Sequence, residues 1–180
     1  MEQTAEGFAA TMTPNLGAAV LAALGDCLSD VRVFRDEVTL ITTRERIVEV
    51  LTYLRDAQEF NMLIDETCVD YLPKEPRFGI IYQLYSISRN IRVRVKVMLS
   101  ESNRSIATAT GVYCAANWLE REMYDLFGIN FEGHPDLRRI MMPAGWEGHP
   151  LLKESAVKVE EVAFSFNRER VEANKPRAQE

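Results

Sequence analysis

"IRVRVKVML", residues Ile91–Leu99, decides the architecture. Ile91, Val93, Val95, Val97 and Leu99 alternate with Arg92, Arg94, Lys96 and Met98. Side chains of a strand point alternately to its two faces, so a period of two predicts a strand with one apolar and one basic side. Strands of this kind build a sheet that is covered on one face only. The basic row reads as solvated surface. Residues 60–69 and 78–88 are the neighbouring strand candidates.

Further upstream, Val31–Phe34 and Val38–Ile41 flank Arg35, Asp36 and Glu37, which predicts a β-hairpin. Thr42 with Glu45 has the spacing of a capping box and would open a helix with an apolar stripe of Ile47, Val50, Leu51 and Leu54. Thr13-Pro14 marks an earlier helix start, after which Leu16, Val20, Leu24 and Cys27 share a face. Downstream, Val112, Ala115, Ala116, Leu119, Met123 and Leu126 predict a third helix that stops at Gly128. Together these elements make an α/β (α+β) two-layer sandwich over residues 14–130, a mostly antiparallel sheet with helices on one face. A disordered leader is expected at 1–13. An extended loop and C-terminal arm is expected at 131–180, where Gly and Pro and then charged residues dominate. Neither a parallel βαβ series nor a glycine-rich phosphate loop supports a nucleotide-binding fold.

Composition narrows the function. The 27 acids outnumber the 21 bases and the net charge is −6, which argues against binding nucleic acid through its phosphates. Cys27, Cys68 and Cys114 are too scattered to cage zinc or an iron–sulfur cluster and read as reduced core residues. No apolar run approaches the roughly twenty residues that span a bilayer. Membrane association would therefore come through a partner.

Both histidines fall in a repeated tetrapeptide, Glu132-Gly133-His134-Pro135 and Glu147-Gly148-His149-Pro150. With Asp136 they could form a two-histidine, one-carboxylate iron site, the basis for a free-standing metal enzyme. Such a triad needs rigid strand geometry, whereas proline stands between His134 and Asp136. Alternatively the two stretches are matching turns, with glycine free to take positive φ and histidine bonding backbone. They bracket Leu137, Arg138, Arg139, Ile140, Met141, Met142 and Trp146, an apolar edge with a dibasic pair. On the preceding helix, Glu120, Arg121, Glu122 and Asp125 crowd two turns. Arg121 and Asp125 have i,i+4 spacing, which suggests a surface pair rather than acid–base chemistry.

The run "NWLEREMYDLFGINFEGHPDLRRIMMPAGWEGHPLLKE", residues 117–154, resembles the C-type subunit family of the proton-pumping NADH:quinone oxidoreductase, respiratory complex I. Glu120, Arg121, Glu122, Asp125, Gly128 and Ile129 carry the first part of the motif. Gly133 to Ile140, Pro143, Trp146 and the second Gly-His-Pro carry the rest. Where the family commonly has Arg-Lys-Asp-Tyr, this chain keeps Lys153 but departs at Leu152, Glu154 and Ser155, and Ala144-Gly145 stands in place of an acidic pair. The resemblance implies a peripheral-arm subunit with no redox centre of its own, since iron–sulfur clusters, FMN and quinone belong to partner subunits. It would dock on the large quinone-site subunit, of the D type, at the cytoplasmic face of the bacterial inner membrane. The interface residues implied are Glu120, Arg121, Glu122, Asp125, His134, Pro135, Asp136, Arg138, Arg139, Trp146 and His149. Similar subunits serve related membrane-bound hydrogenases, so the electron donor stays open. In the tail, Val157, Val159, Val162, Phe164 and Phe166 alternate as in a strand. Phe164 and Phe166 are the expected anchors on a partner.

Overall fold

A computed structural model describes residues 19–35, 37–143, 145–155, 166 and 168–173. The described chain begins in a helix over residues 19–24 (α1) and a short 3-10 turn, Gly25–Cys27. Strands β1 (Leu28–Phe34) and β2 (Glu37–Thr42) follow, then helix α2 (Ile47–Asp56). Next come β3 (Met62–Asp70), β4 (Phe78–Ser86) and β5 (Ile91–Leu99). The order closes with β6 (Ser105–Ala107), α3 (Ala116–Phe127), β7 (Asn130–Glu132) and a short α4 (Arg168–Ala173).

The five long strands form one sheet in the order β1-β2-β5-β4-β3. All pairings are antiparallel except β2 with β5, which run parallel. The expected alternation is present in β5, whose five apolar residues are all buried. The pairing carries the same face across the sheet: Val95 stands opposite Leu40 on one side and Tyr82 on the other, and Tyr82 opposite Glu66. Val20 and Leu24 of α1 and the stripe Ile47, Val50, Leu51 and Leu54 of α2 join the core on that face. Full burial of such side chains stabilises the fold by roughly 1.5–3 kcal/mol each. On the other face Arg92 is exposed, whereas Arg94 and Lys96 are half-buried and paired. Arg94 reaches Glu37 at 2.9 Å, and Lys96 donates to the Tyr71 hydroxyl at 2.8 Å.

Three readings need correction. Thr42 does not cap α2: it is the last residue of β2, and its hydroxyl donates to the Cys27 carbonyl at 2.5 Å. The helix starts five residues later without a side-chain cap. Cys114 is exposed, while Cys27 and Cys68 are the buried pair. Arg121 and Asp125 do not pair, as described below. The Thr13-Pro14 helix start, Leu16, Asp36, the leader and the alternating tail up to Phe164 lie outside the described residues. Phe166 is 85% exposed. The charged run beyond it includes α4, which periodicity did not predict.

Helix α3 packs against edge strand β3 and ends where expected. Gly128 takes φ 74°, the left-handed conformation that closes a helix, and its amide donates to the Tyr124 carbonyl. β7 then pairs in parallel with β6, so the chain after the helix returns to the body of the domain.

Candidate functional site

The charged residues of α3 divide by direction. Glu120 faces the sheet and is completely buried. Its carboxyl accepts from the Thr108 hydroxyl and the Ala109 amide, both at 2.5 Å. Burial pushes its pKa up to about 7, against the opposing pull of these two bonds. Glu66, inward on β3, and Tyr82 complete a buried group, and among the described residues neither finds a hydrogen-bond partner for its side-chain oxygens. Burial first, then the nearby Glu120, raises the Glu66 carboxyl well above the usual range. Burial therefore favours the protonated form of both carboxyls.

Asp125 is equally buried and sits in the opposite condition. Arg139 donates to it at 2.7 Å, and the amides of Ile140, Met141 and Met142 converge on its second oxygen at 3.1, 2.7 and 2.8 Å. Burial alone would raise this carboxyl, but the amides of Met142 and Met141, Arg139 and the Ile140 amide outweigh it and hold the pKa low. One carboxylate thus organises four consecutive residues of the following loop. Arg121 is left to other contacts: its Nε donates to the Arg138 carbonyl at 3.0 Å and its guanidinium lies 5.2 Å from the Trp118 ring centre. Arg138 pairs with Asp136 at 2.6 Å on the surface. Glu122 is exposed.

The two glycine–histidine corners clamp opposite ends of this helix. Gly133 and Gly148 have φ 82° and 79°. The Asp136 amide donates to His134 Nδ1 at 3.0 Å, which places the ring proton on Nε2, 3.1 Å from the Asn117 carbonyl. His149 Nδ1 lies 2.9 Å from the Asp125 carbonyl, and its ring covers Gly128 so closely that a Cβ there would meet it at 2.7 Å. The Leu151 amide satisfies the Leu126 carbonyl. The His149 and Leu151 contacts supply partners for the Asp125 and Leu126 carbonyls, which the C-terminal end of the helix leaves open. Asn117 and Asp125 are separated by about 12 Å along the helix axis, at 1.5 Å per residue. His134, Asp136 and His149 are not brought together, and the described residues hold no cluster of three or more metal-ligating side chains. The metal-enzyme reading is not favoured.

Beyond Pro150 the chain is tied to the sheet by residues that sequence reasoning missed. Arg77, 2% exposed, grips Asp70 with two bonds at 2.9 and 2.8 Å and also binds Glu101 and Glu154. The Lys153 amide donates to the same Asp70 at 3.0 Å. The carboxylate of Glu154 is therefore in use, although it stands where the resembling family commonly has aspartate. Arg77, which follows Pro73, Lys74, Glu75 and Pro76, carried no sequence signal, and nothing near Asp70 in the sequence marked Arg77 as its partner.

Residues 40–161 match the family model described as respiratory-chain NADH dehydrogenase, 30 Kd subunit. The chain belongs to that family. A relative from Roseiflexus sp. (strain RS-1), the C-type subunit of its NADH-quinone oxidoreductase, is 47% identical over 161 residues, covering 88% of this chain and 92% of the relative. A solved trypsin-resistant fragment of Nqo5 is 34% identical and superposes with a TM-score of 0.62, over 70% of this chain and all of the fragment. At 18% identity, a chain of an archaeal membrane-bound sulfane sulfur reductase shares the fold, with a TM-score of 0.72 over 94% of this chain and 96% of that one. The family's glutamate–arginine–glutamate signature here spans both directions of α3. Glu120 points to the core, and Arg121 and Glu122 point outward. Among the described residues no helix is long and apolar enough to cross a membrane.

Proposed function

We propose that the chain works as a non-redox docking subunit of the peripheral arm, held on the large quinone-site subunit by the outer side of α3 and the loop after it. The observation that carries this reading is how the motif residues divide. Glu120, Asp125, Arg139, His134 and His149 are bound up inside the chain, where they make a rigid platform. Trp118 and Met141 remain 63% and 59% exposed on it, with Arg121 and Arg138 beside them. Large apolar and arginine side chains held rigid at a surface are the usual anchors of interfaces. In this reading the clusters, flavin and quinone reside in partner subunits. The chain reaches the cytoplasmic face of the bacterial inner membrane only through them. The tail with Phe164 and Phe166 extends the contact.

The test is purification of the tagged chain from gently solubilised membranes. Co-purification with NADH:quinone oxidoreductase activity and a quinone-site subunit is expected. A solitary chain carrying one equivalent of iron or zinc, lost in the His134→Ala/His149→Ala variant, would overturn the reading in favour of a metal enzyme.

A further inference from the structure

Between the outer side of α3 and the loop lies a cleft of about 560 Å³ lined by Arg121, Tyr124, Leu137, Arg138, Arg139 and Met142. Three of its six lining residues are arginines, in a chain whose net charge is −6. Their internal partners do not exhaust them. Arg139 is committed to Asp125 and the Gly148 carbonyl. Arg138 uses Nε and Nη2 on Asp136. Arg121 makes no ion pair within 4.0 Å among the described residues, and its Nη1 and Nη2 have no acceptor there.

We propose that this cleft receives a carboxylate-bearing segment of a neighbouring subunit, with Arg121 and Arg138 as its two charged contacts and Trp118 and Met141 as the apolar rim. The inference rests on the docking function proposed above and adds the partner's chemistry. A guanidinium pairs with a carboxylate through parallel N–H···O bonds, and Nη1 and Nη2 of Arg121, without an acceptor among the described residues, present such a fork. Packing on Trp118 limits the freedom of that fork before the partner arrives, which lowers the entropy lost on binding. The rigid Asp125-centred loop does the same for Arg138, whose own peptide carbonyl is held by Arg121. The apolar wall of Leu137 and Met142 excludes water from the contact and so strengthens it.

The test uses zero-length carbodiimide coupling in the intact complex, which joins an amine to a carboxylate in direct contact. Arg121→Lys and Arg138→Lys keep the charge and supply the amine. Each variant complex is coupled and its cross-linked peptides are identified by mass spectrometry. The expected product joins position 121 or 138 to an aspartate or glutamate of a neighbouring subunit and is absent from wild type. Coupling only within the chain, to Asp136 for example, or none at all in a complex that retains the subunit, overturns the proposal. A companion Arg121→Glu/Arg138→Glu variant should melt as wild type does but remain in the salt-washed complex at about a tenth of the wild-type level. Full retention also overturns it. If even the wild-type chain does not co-purify with the complex, the docking function itself fails and takes the cleft with it. If wild type co-purifies but these variants behave as it does, only the cleft assignment is lost.

Discussion

Glu120 and Asp125 lie five residues apart on α3, both with no exposed surface, yet they sit in opposite electrostatic surroundings. Five residues turn a helix by roughly 140° beyond a full revolution, so the two side chains face different regions. Glu120 looks onto the sheet, where Glu66 and Tyr82 add polar atoms without partners among the described residues and burial favours the protonated form. Asp125 looks onto the loop, where three amides and a guanidinium favour the charge. The difference shows that burial alone does not set the state of a carboxyl; the number of donors aimed at it does. It also explains how aspartate is tolerated near a helix C-terminus, where the dipole disfavours a negative charge by about 0.3–1 kcal/mol. The loop's amides more than offset that term.

The largest effect is expected from removing the charge that organises the loop. Asp125→Asn keeps the shape but leaves Arg139 facing a neutral amide and puts an N–H among donors. Breaking one side of a buried pair costs on the order of 3–5 kcal/mol. Thermal unfolding should drop by roughly 10 °C for a domain of this size. Limited proteolysis should open residues 138–150 first. An unchanged melting temperature would mean that the loop is held by something other than Asp125, and the contrast with Glu120 would lose its meaning.

A smaller break comes from the junction between helix and loop. Gly128→Val meets two obstacles, positive φ and the His149 ring at 2.7 Å. The backbone strain is on the order of 1–3 kcal/mol. The second corner must also swing away from the Asp125 carbonyl. Gly25→Ala, with nothing within 4 Å of the added methyl, is the control and should melt near wild type. Equal melting of the two variants would show that the second corner does not rest on Gly128.

Much of this arrangement could be read from the chain itself. The alternation in 91–99, the stripe of α2 and the stop at Gly128 are local patterns, and each formed as its periodicity required. The two glycine–histidine turns could be read because positive φ and a ring that bonds backbone are local needs too. What escaped was direction and long-range pairing. Thr42 and Glu45 have capping-box spacing, but the hydroxyl belongs to a strand end and finds the Cys27 carbonyl, fifteen residues back. Arg121 and Asp125 have ion-pair spacing, but the fold turns one outward and the other inward. Glu66 escaped because β3 carries a register shift between Leu63 and Asp65, which redirects the alternation after it. The parallel pairing of β2 with β5 and the Arg77–Asp70–Glu154 contact depend on how distant segments meet, and no window along the chain contains both sides of them.

The finest probe separates the two carboxyls by the sign of their pH dependence. Asp125 has a lowered folded pKa, so its contribution is present above its ordinary value of 3.8 and is lost as pH falls through the folded value. Glu120 has a raised one, from 4.5 to about 7. Between those values the folded chain keeps a proton that the unfolded chain has released, so Glu120's contribution is full below 4.5 and declines as pH rises towards 7. Glu120→Gln removes that decline. Its side-chain carbonyl can accept from the Ala109 amide as before, and its amide group can donate to the Thr108 hydroxyl, so the fold should persist with little change at about pH 7. Wild type and variant are compared by denaturant unfolding at steps from about pH 4.5 to about 7.5, the span of the linkage. The wild-type curve should lose stability across that window by on the order of 1 kcal/mol per unit relative to the variant, and the two should run parallel above it. Parallel curves throughout would mean that Glu120 is ionised across the range. The sheet-facing side of α3 would then be as well supplied with donors as the loop-facing side.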